Sequence, residues 1–246
     1  HINDDKAFKV VNDRAIKCSA KLYSLGVDFQ ITPEVGDTEE TTFSYKWGSR
    51  VLNHLTLPLM GDFQRANAGL ALSACLKLKE YGLNIEEKHL RQGLEKTSWE
   101  GRLETVCTHP TVVLDCAHNE ASVINMTIAL RKNFKFSRCL IVLGIMQDKN
   151  TDEIIKILSQ FGDQFFLVPV NPPRGEAPEK LAEKLKLYNK SSQVFGTVSK
   201  ALQAVKQIAR KNDLICVTGS IFLVAATKKC LNDENIFYNS GNTLHS

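Results

Sequence analysis

The chain has 246 residues, 43% of them hydrophobic and 24% charged, with 31 Lys and Arg against 27 Asp and Glu for a net charge of +4. That is the make-up of an ordinary globular protein, long enough for one large domain or two modest ones, and the weak, dispersed charge argues against a nucleic-acid binder. No apolar run approaches the ~20 residues of a membrane-spanning helix, and no basic-then-apolar leader is read at the start.

The lysines at 184–190 and 206–211 are interrupted by acids and apolar residues and read as solvated helix faces. Seven cysteines, Cys18, Cys75, Cys107, Cys116, Cys139, Cys216 and Cys230, form no C-x-x-C pair. They fit reduced thiols of a cytoplasmic protein and lack the ligand spacing of a zinc site. The chain opens without Met, in what reads as the middle of a domain: a processed chain, or a piece of a longer enzyme.

In chain order, apolar spacing at Phe8, Val11, Ala15, Cys18 and Leu22 predicts a helix over 4–25, stopped by Gly26. Residues 27–32 read as a strand, and 41–46 with 50–56 as a hairpin about Trp47-Gly48-Ser49. Asp62 is the expected cap of a helix running through Glu80 and ended by Gly82, with a second helix over 85–94. The Ser98 to Arg102 stretch reads as an interdomain joint. Beyond Pro110, strands at 112–115, 139–143, 164–168, 193–195 and 214–218 alternate with helices at 121–133, 152–161, 177–188, 199–210 and 220–231. Such alternation predicts an α/β domain with a mainly parallel, doubly wound sheet. The polar tail is expected to carry a short strand at 236–238.

Chemistry concentrates where the apolar run 111–114 ends in Asp115, His118 and Asn119. In open α/β sheets ligands bind at the carboxyl ends of strands. Asp115 reads either as the cap of the following helix or as an acceptor for a ribose or a metal-linked water. His118 beside Asn119, at a helix N-terminus, suits a phosphate. Arg102 offers planar bidentate binding to phosphate, or an interface ion pair with Glu104. Gly144 leaves room for a ligand against the backbone, with Asp148 and Lys149 either touching that ligand or forming a polar turn. Gly219-Ser220 opens a helix as a candidate anion site. Gln64 and Asn67 share a helix face at i, i+3, and an amide there offers an adenine a donor and an acceptor together. Neither a Gly-x-x-x-x-Gly-Lys-[Ser/Thr] phosphate cradle nor a Gly-x-Gly-x-x-Gly turn occurs.

Taken in order, Gly61 with Gln64-x-x-Asn67-Ala68, Trp99-x-Gly101-Arg-Leu-Glu104, Leu114-Asp-x-Ala-His-Asn119, Gly144-x-x-x-Asp148-Lys149 and Thr218-Gly-Ser220 resemble the folylpolyglutamate synthase/dihydrofolate synthase family of Mur ligases. The chain departs from the pattern at Phe63 (often His), Glu100 (often Pro) and Cys116 (often Gly). The resemblance implies an α/β fold: residues 1–99 as the C-terminal part of a Mur-ligase-type central ATPase domain, 100–104 as linker, and 105–246 as a Rossmann-like C-terminal ligase domain. It further implies Asn67 and Gln64 at the adenine, Arg102 on ATP phosphate, Asp115 at the ribose or ordering the hinge, His118 by the γ-phosphate with Asn119 beside it, and Ser220 near the substrate cleft. Catalytic roles fall to His118 and Arg102. The implied reaction joins L-glutamate to a folate or dihydropteroate carboxylate through an acyl phosphate, with ATP and Mg²⁺. The metal ligands and the phosphate cradle are expected upstream of His1, so the chain alone is expected to be inactive. A cytoplasmic monomer with small-molecule substrates, and no nucleic-acid or membrane partner, is the corresponding expectation. The competing readings are a Mur-type ligase of a cell-wall precursor and a non-catalytic nucleotide-binding module.

Overall fold

A computed structural model of the chain describes residues 4–34, 41–234, 236 and 237. They fall into two compact units, His1–Ser98 and Trp99–Ser246.

In the first unit, helix α1 (Asp5–Lys17) starts where the Asp4 carboxylate accepts the Ala7 N–H at 2.7 Å. It ends at Lys17, eight residues short of the predicted stop, because Ser19 turns into the left-handed region (φ 50°). Gly26 serves instead in the turn before β1 (Phe29–Pro33), its N–H donating to the Phe29 carbonyl at 2.7 Å. No residue of α1 is buried, and Phe8 and Val11 stay exposed despite their helical spacing. Strands β1, β2 (Thr41–Trp47) and β3 (Arg50–Leu57) form an antiparallel sheet. Its buried face, Phe29, Phe43, Tyr45, Leu52 and Leu55, packs with Ala68 and Leu72 of α2 (Phe63–Leu78) and with Leu90 and Leu94 of α3 (Glu87–Glu95). Asp62 does not cap α2: its backbone is already helical, and its carboxylate pairs with Arg65 at 2.7 Å. A 3₁₀ turn, Lys79–Tyr81, precedes Gly82, whose φ of 88° closes the segment as read from the sequence.

The second unit is a six-stranded sheet in the order β4-β5-β9-β6-β7-β8, built from β4 (Glu104–Thr108), β5 (Thr111–Leu114), β6 (Arg138–Leu143), β7 (Gln164–Leu167), β8 (Ser191–Val194) and β9 (Asp213–Thr218). Strands β5 to β9 pair in parallel; β4 is an antiparallel edge strand. The joints between them are α4 (Glu120–Asn133), α5 (Thr151–Ser159), α6 (Pro178–Lys186) and α7 (Val198–Ile208), with α8 (Ile221–Glu234) after β9. Strand β4 was not predicted: residues 104–108 are mixed and only half-buried, as at a sheet edge. The predicted tail strand is absent at Ile236 and Phe237, which lie in a bend and bury against the core; Tyr238 falls outside the described residues.

Near-continuous apolar strands follow from burial on both faces. One face, including Val112, Leu140, Val142, Phe166, Ile215 and Val217, packs on Ala201, Leu202 and Val205 of α7 and Leu223 and Val224 of α8. The alternate residues point the other way, where Cys216 Sγ lies 3.9 Å from Met126 Sδ of α4. Returning last, β9 inserts between β5 and β6, so four successive strand ends converge on one edge. Packing there is tight: Gly219 has φ 106°, and a Cβ on it would lie 2.6 Å from the Gly144 carbonyl. The space at Gly144 is likewise filled from within, since a Cβ would lie 2.4 Å from Val170 Cγ1.

Two buried carboxylates fix the ends of this sheet. At the amino edge, Asp213 is 2% exposed and accepts from Arg138 Nε (3.2 Å), Arg138 Nη2 (2.5 Å) and the Arg210 N–H (2.8 Å). Burial pushes its pKa up, but Arg138 and the Arg210 N–H outweigh burial and hold it below the usual carboxylate value. At the carboxyl edge, Asp115 is 4% exposed; Oδ2 accepts the Leu103 N–H at 2.9 Å and Oδ1 the Ala117 N–H at 2.8 Å.

Asp213→Asn should cost about 1–3 kcal/mol at pH 7. Because the native pKa is depressed, that contribution is complete above the ordinary carboxylate pKa and is lost as pH falls through the native value. Urea titrations at pH 7 and pH 3 check this: the gap between wild type and Asp213→Asn should shrink at the lower pH. Asp115→Ala strands two buried N–H groups and should cost about 2–4 kcal/mol, more than Asp115→Asn, which keeps one acceptor; the same titrations measure the order.

Candidate active site

The carboxyl ends of β5, β6, β7 and β9 surround a cleft of about 250 Å³ lined by Arg102, Cys116, His118, Met146, Asp148, Lys149, Arg174, Ser220, Ile221 and Phe222. Each strand end is followed by a loop that the sheet order brings to the same place, where a ligand in an open α/β sheet is expected.

After β5, the three polar residues of the sequence motif part company. Asp115 faces inward and is spent on backbone. Burial pushes its pKa above the usual carboxylate value, against the Leu103 and Ala117 N–H groups and the charges of Arg102 and His118. It is not the cap of α4; Asn119 is, its Oδ1 accepting the Ser122 N–H at 2.9 Å while Ser122 Oγ accepts the Asn119 N–H at 3.1 Å. Of the three, only His118 lines the cleft. Its Nδ1 lies 2.8 Å from the Cys116 carbonyl, a pairing that requires the proton on Nδ1 and leaves Nε2 for a ligand.

Arg102 reaches the same cleft from the turn before β4. Of the two readings of Arg102, the ion pair with Glu104 does not form: Glu104 accepts the Gly101 N–H at 2.7 Å and Lys228 Nζ at 2.8 Å. Among the described residues the Arg102 guanidinium has neither hydrogen bond nor ion pair, and the same holds for Arg174. Lys149 donates to Asp148 Oδ2 at 3.1 Å, and that ammonium, with Arg174 nearby, holds the Asp148 carboxyl below its usual pKa. Cys116 is compatible with the turn because it faces Gly101, where a Cβ would lie 2.7 Å from its Sγ. Burial pushes the Cys116 thiol pKa up, so it is a poor nucleophile.

Arg174 was not singled out in the sequence. It follows Asn171-Pro172-Pro173 in the loop after β7, and that loop is stitched to the one after β6. The Gln147 N–H donates to the Arg174 carbonyl at 3.0 Å and the Glu176 N–H to the Ile145 carbonyl at 2.8 Å. A cation in a Pro-Gly loop immediately after a parallel strand was the available signal. Ser220, only 2% exposed, ends the set: its Oγ accepts the Phe222 N–H at 3.2 Å, keeping the hydroxyl proton to donate.

Three cations and an imidazole face one already paired acid, so the cleft suits a multiply charged anion rather than a cation. Among the described residues no group of three or more His, Cys, Asp or Glu side chains could hold a metal ion. In the first unit, Gln64 and Asn67 share the first turns of α2, with Asn67 Nδ2 donating to Gln64 Oε1 at 2.9 Å; Gln64 is buried and Asn67 exposed.

Among the described residues no helix is long and apolar enough to cross a membrane. Residues 101–221 match the Mur ligase, glutamate ligase domain. The dihydrofolate synthase/folylpolyglutamate synthase of Bacillus subtilis is 30% identical over 94% of this chain and 53% of its own length. Escherichia coli FolC, solved in complex with DHPP and ADP, superposes with a TM-score of 0.80 at 27% identity, over 92% of this chain and 51% of that one. The bifunctional folylpolyglutamate synthase/dihydrofolate synthase of Yersinia pestis, complexed with AMPPNP and a Mn ion, gives 0.77 at 27% identity, over 91% and 50%. The chain thus spans about half the length of these relatives. Residues 101–221 thus carry the Mur ligase, glutamate ligase domain, and the chain as a whole is similar to folylpolyglutamate synthase/dihydrofolate synthases in its ordered motifs and its sheet.

Proposed function

We propose that this chain is part of an ATP-dependent ligase that joins L-glutamate to a folate or dihydropteroate carboxylate through an acyl phosphate, and that the cleft of the second unit binds the anionic groups of the reactants. The observation that carries this reading is the meeting of Arg102, Lys149 and Arg174 with His118 around one cleft, two of the three cations having no protein partner. An unpaired guanidinium, half-buried at Arg102 and exposed at Arg174, is stabilised when an anion arrives, and its planar fork fits phosphate or carboxylate oxygens in pairs. Relatives solved with ADP and with AMPPNP support a nucleotide as one such anion.

ATP, when bound, supplies the phosphoryl group that activates the carboxylate. The chain's own residues would then act as follows. Arg102 binds phosphate oxygens and offsets charge that grows during transfer. His118, its ring fixed by Nδ1, presents Nε2 to the same oxygens as donor or acceptor. Arg174 and Lys149 hold carboxylate or phosphate oxygens on the other wall, and the Ser220 hydroxyl donates from the start of α8. Gln64 and Asn67 read the adenine through the acceptor and donor atoms that their mutual bond leaves over. Asp115, buried and with each oxygen accepting a backbone N–H, fits the hinge-ordering role better than the ribose role. Asn119 acts through the cap of α4, which sets the His118 backbone. Among the described residues no group of three or more His, Cys, Asp or Glu side chains offers Mg²⁺ a ligand set. Seven free thiols suit a reducing, cytoplasmic setting.

Of the competing readings, the folate branch is favoured over a cell-wall ligase by its relatives and over a binding module by the cationic cleft. In the protein that carries this chain, ADP release should depend jointly on L-glutamate and on dihydropteroate or tetrahydrofolate. Arg102→Ala and Arg174→Ala should each lower kcat/KM about 10- to 100-fold, the scale of one charge-assisted contact. Release driven instead by a UDP-muramyl peptide, or unaffected by either substitution, would contradict the proposal.

A further inference from the structure

The aim of Arg102 is set by its backbone, because no partner holds its guanidinium and a free arginine side chain samples many rotamers. That backbone is unusual. Gly101 and Leu103, the residues on both sides, lie in the left-handed region at φ 66° and 50°. For Leu103 the conformation is costly, and it persists only where surrounding contacts over-determine it.

Leu103 is held by Asp115, and the Gly101 carbonyl accepts the Cys116 N–H at 2.8 Å. The remaining tie comes from α8. Glu104 Oε2 accepts the Gly101 N–H at 2.7 Å while Oε1 accepts Lys228 Nζ at 2.8 Å, and the same ammonium meets Glu100 Oε2 at 2.8 Å. One lysine therefore bridges both ends of the turn that carries Arg102. Its pair with Glu104 is well shielded, the side chains being 27% and 25% exposed; Glu100, at 80%, adds little. Burial pushes the Lys228 pKa down, but the two carboxylates more than offset this, so the ammonium stays charged. Lys228 does not line the cleft itself, yet the helix it belongs to opens there at Ile221 and Phe222.

We propose that Lys228 is a positioning residue for the anion site: by orienting Glu104 it fixes the Gly101–Leu103 turn and with it the direction of Arg102. The proposal deepens the ligase reading and rests on it.

The test is calorimetric titration of ATP into the chain and its variants, with thermal unfolding run in parallel. Arg102→Ala should weaken binding about tenfold or more. Lys228→Gln should weaken it about three- to tenfold, and Lys228→Arg, which can keep both pairs, should return within about twofold of wild type. Glu104→Gln, which keeps an acceptor for Gly101 but breaks the ion pair, should resemble Lys228→Gln and carries the test if that variant does not fold. The double variant Arg102→Ala/Lys228→Gln should bind no more weakly than Arg102→Ala alone, since a residue acting through Arg102 has nothing left to position. Wild-type affinity in Lys228→Gln or Glu104→Gln, or losses that multiply in the double variant, would overturn the role of Lys228. Wild-type affinity in Arg102→Ala would instead overturn the anion-site reading itself.

Discussion

The second unit depends on one carboxylate that is almost wholly buried. Asp115 directly follows β5, whose residues 112–114 are apolar because both faces of its sheet are covered. A charge there is expensive, and burial pushes the pKa up accordingly. The compensation is local and backbone-directed: one oxygen takes the Leu103 N–H and the other the Ala117 N–H. Those two bonds, with the Cys116 N–H on the Gly101 carbonyl, tie the turn before β4 to the turn after β5. Arg102 emerges from the first turn and His118 from the second. Residues sixteen apart in sequence thus line one cleft because a group between them is committed to structure.

Strand order supplies the rest. Because β9 is laid between β5 and β6, the loops that follow β5, β6, β7 and β9 meet at one edge, and each brings one or two polar side chains. The cleft carries more positive charge than its single acid offsets, an excess that solvent or an anionic ligand can share. Arg138 and Asp213 at the opposite edge make the contrast. There cation and acid are matched to each other and the pair is purely structural. Where charges are left over, binding is the natural use; where they are paired off, stability is.

Much of the architecture was legible in the sequence because parallel strands buried on both faces leave long apolar runs, and β5, β6, β7 and β9 each end within a residue or so of the predicted limit. The failures have physical causes. Strand β4 is short, mixed and at an edge, so its pattern resembles a linker. Helix α1 keeps apolar spacing past its end, but spacing does not report the left-handed turn at Ser19. At the site, residue types were readable and their orientation was not. Asp115, His118 and Asn119 looked like one cluster, yet a carboxylate used on backbone, a cleft-lining imidazole and a helix cap are three separate jobs. Arg174 and Lys228 were missed for a related reason: one sits in a proline loop, the other two turns into a helix, and only the fold brings them near Arg102.

The most direct test of an anion site at this edge is a crystal of the chain soaked in tungstate, a heavy stand-in for phosphate whose anomalous signal locates it without ambiguity. The expected result is a peak within hydrogen-bond reach of Arg102 and of Arg174 or His118. Peaks on other surfaces with none in this cleft would contradict it.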